Sequence, residues 1–182
     1  MTIMQIVYAP NAIFKQMARP VDKIDDEIRG IAQAMAETMY VEGAVGLGAN
    51  MVGVDRQIVV VDLREGGMKN PYIMINPEII EYSAETDDYE ESSVSFPGIS
   101  AVITRPSNIK MKYLDLDGNE QILEAGFPLA RVIQHEVDYL HGIVYLDKLS
   151  KMKRDLLVKK MLKHMKMYPP HVHGAHCHHG KH

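Results

Sequence analysis

Residues 134–139 read Gln134-His135-Glu136-Val137-Asp138-Tyr139. Positions four apart on a helix lie one above the other on the same face. In a His-Glu-x-x-His helix both such positions carry imidazoles that hold a metal, and the glutamate between them is general base for a metal-bound water. Here His135 and Glu136 are present but the fifth position is Tyr139. A phenol, with an ordinary pKa of about 10, stays protonated at neutral pH and is a poor divalent-metal ligand beside imidazole. His141 does not replace it, because six residues past His135 it lies about 240° around the helix, off the i, i+4 face.

A second set of candidate ligands closes the chain: His171, His173, His176, Cys177, His178, His179 and His182, interspersed with Gly174 and Gly180. Imidazoles and a thiol on a low-complexity segment chelate nickel, copper, cobalt or zinc. The competing reading is an unstructured or engineered extension.

The elements that must position the first set can be read from periodicity. Residues 25–41 place Ile28, Ile31, Met35 and Met39 at helical spacing, and the glycines Gly43, Gly46 and Gly48 follow. Residues 58–63 read as a buried strand, with 72–75, 78–82, 108–114 and 121–123 as further strands and Asp117-Gly118 as a hairpin turn. Residues 127–141 return to helical spacing, carry the His-Glu signature and stop at Gly142, a C-terminal cap. A last helix over 150–167, with His164 on its exposed side, ends before Pro169-Pro170. The order predicts an α+β fold, with mostly antiparallel sheets packed around a central motif-bearing helix and a helix at the C-terminal end.

With 182 residues, 46% of them hydrophobic, the chain suits one domain (1–168) followed by a flexible His-rich tail (169–182). No apolar run reaches the roughly 18 residues of a membrane span, and the N-terminus lacks a secretory pattern, so a cytoplasmic protein without membrane association is expected. Cys177 is the sole cysteine, which excludes an internal disulfide framework. A net charge of -4 argues against general nucleic-acid binding. Lys151, Lys153, Arg154, Lys159, Lys160, Lys163 and Lys166 make the last helix basic, which reads as solvated surface or, alternatively, as contact with an anionic partner such as the ribosome.

Three separated segments resemble the motifs of the peptide deformylase family: Gly46-Leu47-Gly48-Ala49-Asn50-Met51-Val52-Gly53, Glu91-Ser92-Ser93-Val94-Ser95-Phe96-Pro97-Gly98, and Gln134-His135-Glu136-Val137-Asp138-Tyr139-Leu140-His141-Gly142. In the family these read G-L-A-A-x-Q, E-G-C-L-S and Q-H-E-x-D-H. The resemblance implies an enzyme that removes formyl groups from the N-terminal formylmethionine of nascent chains, using iron or zinc held by one cysteine and two histidines. It places those ligands at Ser93, His135 and Tyr139, so two of the three have changed. A neutral hydroxyl donates little to a borderline-soft cation that a thiolate suits well. The oxyanion glutamine falls on Met51, leaving the backbone N–H of Val94 from that pair. Gly46 and Val94 are implied in substrate binding, and Glu136 stands at the general base and acid position. Gly48 replaces a family alanine and Ser92 a family glycine.

Gln134, Asp138, Leu140 and Gly142 keep the surrounding pattern, and Arg105 is the expected ion partner of Asp138. Burial without an adjacent cation predicts a raised pKa for Glu136. One expectation is that the hydroxyls of Ser93 and Tyr139, with His135, close a metal-free hydrogen-bond network around that carboxyl group. A Ser93–His135 nucleophile and base pair is a sharper, less supported alternative. Three functions follow: a deformylase-like protein with little or no metal-dependent activity that still binds N-terminal methionyl peptides, an active metal-dependent deformylase, or a metal binder acting through its tail.

Overall fold

The computed structural model describes residues 2–170. Asp25 starts the first helix, its carboxylate accepting from the Ile28 N–H at 3.1 Å and so satisfying a donor that helix starts leave free. Helix α1 (Asp26–Val41) buries Ile28, Ala32, Met35 and Met39, close to the predicted stripe. Strand β1 (Gly46–Gly48) is short and buried, and β2 (Ile58–Val61) is buried at every position, as its unbroken apolar run requires.

Strand β3 (Tyr72–Tyr82) joins two segments that the sequence separates. The apparent break is Asn76-Pro77: Asn76 takes a φ of 50°, and the pairing register shifts between Ile75 and Glu78. Proline has no N–H for the ladder, so a bulge is the natural accommodation. The Asn76 amide pins it, accepting from the Val21 N–H at 2.8 Å and donating to the Val21 carbonyl at 2.9 Å.

Three strands were not legible: the short β1, read only as a run of glycines, and two more that follow β3. Strands β4 (Thr86–Ser93) and β5 (Phe96–Pro106) form an antiparallel hairpin that is a sheet of its own. The β4 sequence TDDYEESS has no apolar alternation, so hydrophobic periodicity is silent there. Strands β6 (Ile109–Leu114) and β7 (Glu120–Ala125) complete a main sheet ordered β1-β2-β3-β6-β7, antiparallel throughout. The expected α+β architecture with antiparallel sheets holds.

Helix α2 (Leu129–Leu140) is buried on nearly every side. Ala130, Ile133, Val137 and Leu140 join an apolar cluster with Val59, Val61, Met74 and Met111. Tyr139 belongs to a second cluster, with Phe14, Met35, Leu47 and Phe96. A helix held between two cores must find partners inside the protein for any charge it carries. Its end matches the predicted cap: Gly142 has a φ of 72°, and the N–H groups of Gly142 and Ile143 donate to Tyr139 and Asp138 carbonyls at 3.1 and 3.0 Å.

Helix α3 (Lys151–Met167) starts with the Ser150 hydroxyl accepting from the Lys153 N–H at 3.4 Å, and packs on β5. Lys151, Lys153, Lys159, Lys160, Lys163 and Lys166 are exposed. His164 departs from expectation: it is half-buried, its ring so close to Gly98 that an added Cβ there would come within 2.4 Å of it. It lies three positions beyond Met161, the one fully buried residue of α3, and so shares the inward flank. No helix among the described residues is long and apolar enough to cross a membrane. The candidate tail ligands His171, His173, His176, Cys177, His178, His179 and His182 lie outside the described residues.

Candidate functional site

Arg131, His135 and Asp138 follow one another at spacings of four and three on α2, which puts three polar groups on one face of a buried helix. The partner that face needs is Glu91, on β4 and almost wholly buried. Glu91 accepts from Arg105 Nε at 2.6 Å and Nη2 at 3.0 Å, from Arg131 Nη1 at 2.7 Å and from His135 Nδ1 at 2.8 Å. Burial alone would raise its pKa; the hydrogen bonds from His135 and Arg105 and their charges overcome this and hold it at about 2. An ionised carboxylate only accepts, so His135 Nδ1 carries the hydrogen and Nε2 is left for other work.

The predicted Arg105–Asp138 pair is present, Nη1 to Oδ2 at 2.7 Å, with Lys148 Nζ 3.1 Å from the same oxygen. Arg131 also donates to the Ile103 carbonyl at 3.0 Å and the Asp87 carbonyl at 2.6 Å. Helix α2 and the β4–β5 hairpin are thereby joined by charge as well as by packing. Gln134 adds a bond from Nε2 to the Pro106 carbonyl at 2.9 Å. Sequence reading quotes Glu91 without giving it a role and passes over Arg131. The signal that could have found Arg131 is its spacing of four from His135 on a largely apolar helix; Glu91, on an acidic strand, left none.

Between α2, β4 and the segment entering β1 lies a cleft of about 300 Å³. Of the residues singled out from sequence, Gly46, Met51, Ser93, Val94, His135 and Glu136 line it, together with Val45, Tyr89, Glu90, Arg131 and Val132. Tyr139 does not line it; its side chain is fully buried, ring against Phe14 and His135 with centroids at 5.6 and 5.1 Å. Gly46 must be glycine here, since an added Cβ would stand 2.7 Å from Glu136 Oε1.

Glu136 is buried, and its pKa is pushed up to about 7 by desolvation, against the pull of the nearby His135 charge and the Gly48 N–H. That N–H lies 3.5 Å from Met51 Sδ, a weak acceptor with no hydrogen to give. The Met51 side chain therefore cannot donate to an oxyanion.

The expected closed network around Glu136 is not formed. Ser93 Oγ accepts from the Ser95 N–H at 3.3 Å within the β4–β5 turn, and His135 Nδ1 is directed to Glu91. Glu136 Oε2 and the Tyr139 hydroxyl are buried without a hydrogen-bond partner. Burial pushes the Tyr139 phenol well above its ordinary pKa, an effect the neighbouring Ser93 hydroxyl only moderates, so it is neutral at physiological pH. The three positions that would share a cation thus present one imidazole nitrogen and two neutral hydroxyls. Among the described residues no group of three or more His, Cys, Asp or Glu could hold a metal ion.

Comparison with known proteins gives one consistent answer. The polypeptide deformylase family model matches residues 3–155. A protein of Rickettsia conorii named peptide deformylase-like is 55% identical over 175 residues, covering 96% of each chain. A peptide deformylase of Rhizobium meliloti is 39% identical, over 90% of this chain and 94% of its own. The crystal structure of peptide deformylase from Ehrlichia chaffeensis superposes with a TM-score of 0.85 at 36% identity, covering 94% of this chain and all of that one. Match, identity and superposition all run through the hairpin and helix that build the cleft, and on them the chain belongs to the polypeptide deformylase family.

Proposed function

We propose that this chain is a peptide deformylase-like protein that keeps the cleft for N-terminal methionyl peptides and has lost efficient metal-dependent deformylation. The observation that carries the reading is the donor set at the three ligand-equivalent positions: His135 and the Ser93 hydroxyl at the cleft, and the neutral phenol of Tyr139 buried outside its lining. Iron and zinc in such sites take charged thiolate and imidazole donors. This set does not fit them. Met51 at the glutamine position removes a side-chain donor whose loss typically costs on the order of 10² to 10³ in rate. Glu136 keeps a proton-transfer position, but no residue of the cleft replaces the missing electrophile.

What remains serves binding. Val45, Val94 and Val132 offer apolar walls, and the Glu91 network fixes the helix and hairpin on either side of the cleft. Residues 1–168 would form the peptide-binding unit, with nascent chains or released N-terminal peptides as its partners and the cytoplasm as its setting. The exposed lysines of α3 need no partner to explain them.

A second reading is favoured by one observation. The Glu91–His135 bond orients the imidazole as a metal ligand requires, and the raised pKa of Glu136 suits a general base. An assay with N-formyl-Met-Ala-Ser separates the two, run on protein incubated anaerobically with iron(II) and in parallel with zinc(II). The account expects no turnover above a His135→Ala control; metal-dependent turnover that His135→Ala abolishes would establish the active enzyme instead.

A further inference from the structure

The Tyr139 ring touches residues of two separate cavities. It meets His135, which lines the cleft, and it meets Phe14, which lines a second pocket of about 280 Å³. The β4–β5 turn is divided in the same way, with Ser93 and Val94 lining the cleft and Phe96 lining the pocket. Phe14 and Phe96 stand together there, ring centroids 5.7 Å apart. The other walls come from elements with no part in the cleft: Val144 and Leu146 at the turn Tyr145–Lys148, and Val158 and Met161 on α3.

These walls ask for no hydrogen bond. Phe14, Phe96, Leu146 and Met161 are apolar and almost wholly buried, and among the described residues no buried side-chain polar atom lining the pocket lacks a partner. An occupant must therefore be apolar along its length, since a polar atom set against these walls would lose its water without replacement. The charges sit at the opening instead. Lys15, Asp147 and Arg154 line it, and Asp147 is already used: one oxygen accepts from the Val144 N–H at 3.0 Å, and the other lies 3.3 Å from Arg154 Nη1. Lys15 is exposed and has no ion pair among the described residues. The rim thus carries one positive charge in excess, which favours an anionic head group.

We propose that this pocket is a binding site for a medium-chain aliphatic carboxylate, with its chain among Phe14, Phe96, Val158 and Met161 and its carboxylate at Lys15. The volume stands at the lower edge of the roughly 300–1,000 Å³ of small-molecule sites, which suits a chain of about eight carbons. The site goes beyond the reading of the cleft and does not depend on it, because the two cavities share no lining residue.

Each cavity holds one methionine, Met51 in the cleft and Met161 in the pocket, so methyl NMR on the full chain carrying ¹³C-methyl methionine reads both at once. Met51→Leu and Met161→Leu assign the two signals. The probes are sodium octanoate and octylammonium chloride, titrated at low ionic strength where an exposed charge is least screened. Octanoate is expected to shift the Met161 methyl saturably and to leave Met51 unmoved, with a Kd at least about threefold below that of octylammonium, the usual size of an exposed ion pair. Lys15→Gln, a change at an exposed side chain, is expected to narrow that ratio. If octanoate gives no saturable shift at Met161, the site is overturned. A saturable shift at Met51 in its place assigns the probe to the cleft and overturns the proposal equally. Octylammonium binding as tightly as octanoate, or a ratio untouched by Lys15→Gln, overturns the choice of an anion held at Lys15.

Discussion

At the scale of single residues, two glutamates on facing elements have been driven in opposite directions by their surroundings. Glu91 collects three cationic or N–H donors and is held ionised; Glu136, with little to compensate its burial, is held toward its neutral form. Each has a consequence for stability with a definite sign. The folded-state pKa of Glu136 is raised from 4.5 to about 7, so its favourable contribution is complete below pH 4.5 and is lost as pH rises through 7. Glu136→Gln is therefore expected to gain stability relative to wild type across that window, by on the order of 3 kcal/mol, and to hold a constant advantage above it. Urea unfolding of both proteins at a series of pH values checks this, and parallel curves would contradict it. Glu91 runs the other way, lowered from 4.5 to about 2, with its contribution present above pH 4.5 and lost as pH falls through 2. Glu91→Gln leaves Arg105 and Arg131 buried without their counter-charge and is expected to cost roughly 3–5 kcal/mol in unfolding free energy at pH 7.

At the scale of elements, what could be read in advance was whatever leaves a local trace. The stripe of α1, the apolar run of β2, the cap at Gly142, and the His-Glu helix all follow from spacing or from one residue's conformational preference. The hairpin of β4 and β5 left none in β4, because an acidic strand gains its order from the partner across the ladder and from Arg131 and Arg105 reaching into it. The same gap hid the role of Glu91, since a buried carboxylate is recognisable only once its cations are in place. The position of His164 failed for a related reason: its ring occupies the space beside Gly98, with a φ of 75°, where any side chain would clash. Gly142 offers a direct test of the element that carries the site. It adopts a φ of 72°, and a Cβ would stand 2.8 Å from the Lys15 carbonyl carbon. Gly142→Ala should cost at least about 1–2 kcal/mol from backbone strain alone. A thermal melt unchanged by this substitution would show that the end of α2 is not fixed as described.

At the scale of the whole molecule, the fold is that of the polypeptide deformylase family, and on the proposed reading the groups that would bind a cation there have changed. The helix, the hairpin and the ion network between them position His135 and Glu136 at the cleft; Ser93, Tyr139 and Met51 change what the cleft can do. If the frame is sound, chemistry should return when those three side chains are restored. The triple variant Ser93→Cys, Tyr139→His, Met51→Gln is expected to bind one iron or zinc and to hydrolyse N-formyl-Met-Ala-Ser. Omitting the Met51→Gln change should lower its rate by about 10² to 10³. A restored variant that folds and binds metal yet shows no turnover would mean that the frame has drifted as well. The central claim, that the wild-type cleft does not hold a catalytic cation, is tested most directly by the metal content of protein lacking residues 171–182. The protein would be incubated anaerobically with iron(II) or zinc(II), desalted, and measured by plasma mass spectrometry. The account predicts bound metal far below one ion per chain and unchanged by His135→Ala; one ion per chain that disappears with His135→Ala would contradict it.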